Sequence, residues 1–161
     1  MELISVLLLL GILSAVAMSR MVKSSAYAPS LVTAEVVALT RLGQQLAMAR
    51  QDATVSLELQ SIAGSWRLRV RVDSGGGPVD ERVQETQRSN TSVAVSNGAT
   101  TVMLATDPLI LAFDGMGNLD SATIGTTLLD PSVGIEVAVL GDSNRTVCVS
   151  ATGYAFRDAC A

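Results

Sequence analysis

The sequence contains no histidine, which removes the commonest general base and the commonest metal ligand at once. No Gly-x-Ser-x-Gly element is present either, so nothing supports a hydrolase. Neither an enzyme nor a cofactor is expected. Aromatic residues make up only 3% of the 161 residues, so Val, Leu and Ala must fill the core. Charge is sparse at 16%, and the net charge of −4 with a pI near 4.7 argues against a general polyanion binder. From Leu3 to Ser19 charge is missing altogether.

That uncharged run is the strongest positive feature. Seventeen residues rising about 1.5 Å each make roughly 25 Å of helix, close to the thickness of a bilayer core. Glu2 stands directly ahead of it, and Arg20 and Lys23 are the first cations after it. A carboxylate at the apolar end of such a segment costs a few kcal/mol to insert, so a partner is expected for it. A cleaved signal peptide would use Val6–Leu13 as its apolar part and Ala15-Val16-Ala17 as its cleavage site, but an acid replaces the required basic start. A retained segment is therefore the preferred reading.

Residues 1–25 read as a transmembrane or assembly helix, interrupted near Ser24-Ser25-Ala26-Tyr27-Ala28-Pro29 because proline removes a backbone donor and crowds the preceding turn. Residues 26–52 read as its amphipathic continuation: Val32, Val36, Leu39, Leu42, Leu46 and Ala49 recur at helical spacing, with Glu35, Arg41 and Gln45 off that stripe. Residues 53–161 read as a β-rich domain. Val55, Leu57 and Leu59 alternate with polar residues, as do Trp66, Leu68, Val70 and Val72. Asp73-Ser74-Gly75-Gly76-Gly77-Pro78 is a turn, and the polar stretch Val79–Asn90 reads as loop. Further strands are expected at Ser92–Ser96, Thr100–Ala105, Leu109–Phe113, Gly134–Leu140 and Arg145–Ser150.

Glu2-Leu3 followed by Gly11-Ile12-Leu13-Ser14-Ala15-Val16-Ala17 resembles the N-terminal signature of type IV pilins and type II secretion pseudopilins, in which a glutamate stands nine residues before the glycine. In that register the resemblance implies that a few mature residues and a basic leader ending in glycine would precede Met1. Leu39 to Ala53 leading into alternating strands, then Phe113-Asp114-Gly115-Met116-Gly117-Asn118, is similar to the minor pseudopilin H class and to minor subunits of mannose-sensitive haemagglutinin (MSHA) pili, and Val147-Cys148-Val149-Ser150-Ala151-Thr152-Gly153-Tyr154 is similar to the MSHA group. The resemblance implies an α+β fold: one long N-terminal helix, membrane-inserted in its first half, packed on an antiparallel sheet.

It further implies a structural minor pilin or pseudopilin, held single-pass in a bacterial inner membrane with a periplasmic domain before entering a pilus or pseudopilus. Its partners would be other pilin or pseudopilin subunits, the assembly platform and a prepilin peptidase. Glu2 and Gly11 would serve assembly, with Glu2 paired to a neighbouring subunit's N-terminal amine. Rival readings are a membrane-anchored periplasmic binding domain and a DNA-uptake pilin.

The export implied by the resemblance favours a disulfide between Cys148 and Cys160, twelve positions apart, over two reduced thiols. Their spacing fits neither zinc pairs nor a redox Cys-x-x-Cys motif. Arg67, Arg69 and Arg71 share one strand face and are the candidates for phosphate or nucleic acid, although an ordinary solvated face has the same pattern. Asp114, Asn118 and Asp120 offer oxygens without the spacing of a calcium loop, and a tight turn between strands is the preferred explanation of them. No metal is expected.

Overall fold

The chain's architecture is read from a computed structural model, which describes residues 24–160 together with Ile4, Val6, Leu7, Leu10, Gly11, Ile12 and Ser14. Period-two alternation produces β1 (Thr54–Ile62) and β2 (Ser65–Asp73), paired antiparallel through a two-residue turn. Both turn residues take positive φ, Ala63 at 23° and Gly64 at 84°, which matches the right-handed twist of the flanking strands. On β2 the core face is Trp66, Leu68, Val70 and Val72, at most 3% exposed, while Arg67, Arg69 and Arg71 take the other face.

The next strands are β3 (Pro78–Gln87), β4 (Ser92–Ser96), β5 (Thr101–Met103), β6 (Leu109–Phe113), β7 (Leu119–Ile124) and β8 (Thr127–Leu129). They are followed by β9 (Ile135–Leu140), β10 (Arg145–Val149) and β11 (Ala155–Phe156). Two antiparallel sheets result: β3-β2-β1-β6-β7-β8 and β11-β10-β9-β4-β5. Their inward residues merge into one core with the helix α1 (Ala28–Ala49), which packs against β1 and β2 of the first sheet and β9, β10 and β11 of the second.

Helix α1 owes its stability to packing. Its N-cap, Tyr27, makes no side-chain cap bond, and no basic residue occupies its last turn. Pro29 fits the first turn, where its missing N–H is no loss. Val32, Val36, Val37 and Leu39 are buried, each contributing about 1.5–3 kcal/mol relative to exposure. Thr33 and Thr40 lie on the same buried stripe, and their hydroxyls donate to the carbonyls of Pro29 and Val36, so neither is left unsatisfied.

Three expectations need correction. The α+β fold with a long, half-inserted N-terminal helix is corrected: the described residues are mostly antiparallel β, with α1 set across the two sheets and no long apolar helix among them. Helix α1 starts afresh at Ala28, because a short 3-10 turn at Ser24–Ala26 precedes it and Pro29 crowds any helix continuing from before. The single-pass inner-membrane localisation is corrected with it, since among the described residues no helix is long and apolar enough to cross a membrane. The apolar side of α1 is already covered by strands, and its other side carries Arg41 and Gln45. Third, Val79–Asn90 is mostly strand. As an edge strand exposed along most of its length, β3 has no buried face to impose alternation and is defined by its ladder to β2.

Candidate functional site

Glu2 lies outside the described residues. Gly11 is helical and exposed, with nothing within 4 Å of the position a Cβ would take. The described residues around it in sequence, Ile4, Val6, Leu7, Leu10, Ile12 and Ser14, are likewise helical and exposed.

The three arginines of β2 do come together, with carboxylates that sequence reasoning did not associate with them. Register places Glu58 of β1 opposite Arg69, and on the other side Glu85 and Asp80 of β3 opposite Arg67 and Arg71. Glu58, only 5% exposed, takes Arg69 Nη2 at 2.6 Å on one oxygen and Arg71 Nη1 at 3.2 Å on the other. Asp80 Oδ1 lies 3.3 Å from Arg71 Nε, out of line for a hydrogen bond, and Asp80 Oδ2 lies 3.8 Å from Arg69 Nη1. Arg67 pairs with Glu85 at 2.7 Å. Three cations thus face three anions on adjacent strands. The face has no local excess of positive charge with which to attract phosphates. Residues alternating two apart on paired strands carried a signal for this network, since Glu58 and Arg69 fall opposite once the two-residue turn at Ala63-Gly64 is recognised.

The segments Phe113–Asn118 and Val147–Tyr154 meet at the C-terminal end of α1. Asp114 Oδ1 accepts the amides of Met116 and Asn118, and Oδ2 accepts Asn118 Nδ2, so the carboxylate is engaged by its own turn. The side chain and then the amide of Asn118 hold its pKa below the ordinary 3.8. Asp130 is lowered likewise by Ser132, whose amide it caps. Asp120 is exposed and stands apart from the turn's hydrogen bonds. This is the geometry of a β6–β7 turn, and among the described residues no group of three or more acidic or cysteine side chains is placed to hold a metal.

That turn docks against the loop after β10. Leu119 N donates to Ala151 O at 2.9 Å, and Gln44 Nε2 of α1 donates to Thr152 O at 2.9 Å. Gly153, at φ 74°, passes so close that any Cβ there would overlap the carbonyl oxygen of Gly117.

Cys148 and Cys160 form a disulfide, with S–S 2.00 Å and Cα–Cα 5.0 Å. Gly134, at φ 82°, makes room for it: a Cβ there would stand 3.2 Å from Cys160 Sγ and from Val149 O. Arg41 holds the same terminal segment from the helix side. Its Nη2 donates to Ala155 O at 3.0 Å and to Tyr154 Oη at 3.1 Å, with the guanidinium 5.0 Å from the Tyr154 ring centre. Short β11 is therefore tied by a ladder, a covalent bridge and a guanidinium. The sequence marked the cysteines; the part played by Arg41 follows only from the fold. Compared with known proteins, the chain matches no family model, no curated protein and no solved structure.

Proposed function

We propose that this chain is a structural, non-catalytic filament subunit of the type IV pilin or type II secretion pseudopilin kind, joined to its neighbours through its apolar N-terminal segment. The observation that carries the reading is the state of that segment's described side chains. Ile4 is 67% exposed, Val6 52%, Leu7 61%, Leu10 54% and Ile12 55%. Fully burying one such side chain is worth about 1.5–3 kcal/mol, so five of them supply a strong drive to be covered by an equivalent surface. Matching segments of neighbouring subunits are that surface, and the nine-residue spacing of Glu2 and Gly11 is the feature by which the segment resembles those of filament subunits.

Two further features support the reading. A disulfide persists in oxidising compartments, where exported filaments are built. The conspicuous polar constellations, Glu58 with its arginines and Asp114 with its turn, are engaged in internal bonds, which suits a scaffold better than a catalyst.

The test is Glu2→Ala in the full gene, expressed in the source organism after deletion of the native copy. Sheared surface filaments and secretion complexes are then probed for the chain. The unsubstituted chain is expected in the filament fraction, and the variant only in the cell fraction with its disulfide formed. Absence of the unsubstituted chain from every such assembly overturns the proposal, and normal incorporation of the variant removes Glu2 from the mechanism.

A further inference from the structure

Of the arginines in the described residues, Arg50, Arg67, Arg69 and Arg71 lie against carboxylates. Arg41 and Arg88 sit over aromatic rings and donate to backbone carbonyls. Three remain with no carboxylate partner among the described residues: Arg82, Arg145 and Arg157. In an acidic protein, two of those three line the same cleft, of about 390 Å³, between α1 and the strands β10 and β11.

The rest of the lining has the same chemical bias. Ser30 and Thr33 come from α1, Asn144 from the turn before β10, Thr146 from β10, and Arg157 and Asp158 from the segment after β11. Arg145 Nε donates to Ser30 Oγ at 3.3 Å, which leaves the serine proton and the remaining Arg145 donors available. Asn144 Oδ1 accepts the Gly141 amide, so its NH₂ is the end left to donate. Thr33 is already bonded to Pro29 O and contributes wall rather than donor. The single carboxylate, Asp158, accepts the amide of Ala159. Two guanidiniums, two hydroxyls and an amide thus line one cleft that holds a single carboxylate.

We propose that this cleft is a binding site for an oxyanion, a phosphate or carboxylate group, held by Arg145 and Arg157 and hydrogen-bonded by Ser30, Asn144 and Thr146. Guanidinium forks match tetrahedral and planar oxyanions, and their charge-assisted bonds are about twice as strong as neutral ones. The site is independent of the filament reading, because none of its residues belongs to the N-terminal segment.

Isothermal titration of the full chain with inorganic phosphate, at constant ionic strength in chloride, tests it, with a short polyglutamate peptide as a second arm. Saturable binding of phosphate is expected. It should weaken by about tenfold or more in Arg145→Ala/Arg157→Ala, recover in part in the double lysine variant, and stay unchanged in Arg82→Ala. Binding in both arms identifies a general oxyanion site, and binding of phosphate alone identifies a phosphate site. No saturable binding in either arm, or binding that survives loss of both arginines, overturns the proposal. Circular dichroism of each variant shows that the fold is retained, as expected for substitutions at exposed positions.

Discussion

The ring of Phe113 lies where a side chain on Gly43 would begin: a Cβ built on that helical glycine comes 3.1 Å from Phe113 Cε2. From the other side Gly153 holds the same ring, its own Cβ position 3.3 Å from Phe113 Cδ1. Two glycines, one on α1 and one after β10, clamp an aromatic ring that is 3% exposed. Gly43→Ala in an open helix would gain about 1 kcal/mol of propensity. Here overpacking costs about 1–3 kcal/mol because the ring has little room to retreat. The expected result is a net loss of about 1 kcal/mol in urea unfolding. A stabilised variant would show that the ring is not held from both sides.

Loss of the disulfide should be felt more strongly. Cys160→Ser opens a loop of sequence separation 12, and chain entropy puts its contribution near 3 kcal/mol. A lowered melting temperature is expected, with a wild-type value in the presence of reductant no higher than the variant's. Gly134→Ala should also destabilise, through its positive φ and its crowding of Cys160 Sγ. Free thiols in protein purified without reductant would contradict the bridge.

Glu58 and Glu85 both pair with arginines of β2, but they are not equivalent. The Glu58 side chain is 6% exposed and serves two guanidiniums, whereas Glu85 is 49% exposed and serves one. Glu58→Ala leaves Arg69 and Arg71 without their principal acceptor, and because both remain partly in water the expected loss is about 1–3 kcal/mol. Glu85→Ala should cost less than about 1 kcal/mol. Equal losses from the two variants, measured by denaturant unfolding, would remove the distinction drawn from burial.

Acid should act through Asp114 and Asp130, whose folded-state pKa values are both held below 3.8. A depressed folded pKa contributes stability that is present above the unfolded value and lost as pH falls through the folded one. Stability should therefore fall below about pH 3.8, with part of the fall due to these two turns. Asp114→Asn is expected to be less stable than the parent at neutral pH and to converge with it in acid. A gap that stays constant across an acid series of urea midpoints would disconnect the turn from the effect.

Periodicity alone determined much of the fold. The strands Ser92–Ser96 and Leu109–Phe113 have the bounds their alternation implies, and the helical stripe from Val32 lies inside α1. These segments are legible because each buries one face, and burial imposes a period on the residue types. Where burial is absent the signal fails. Almost wholly exposed, β3 reads as loop, and its strand character comes from pairing with β2 across nine residue pairs. The interruption expected near Ser24–Pro29 is where a 3-10 turn at Ser24–Ala26 precedes α1, and there the signal is the proline rather than a period. Which strands beyond the β1–β2 hairpin become neighbours, and so which glycines face Phe113 and which carbonyl Arg41 reaches, depends on contacts between residues distant in sequence. No local period encodes those pairings; the closing of two sheets and one helix on a single core decides them.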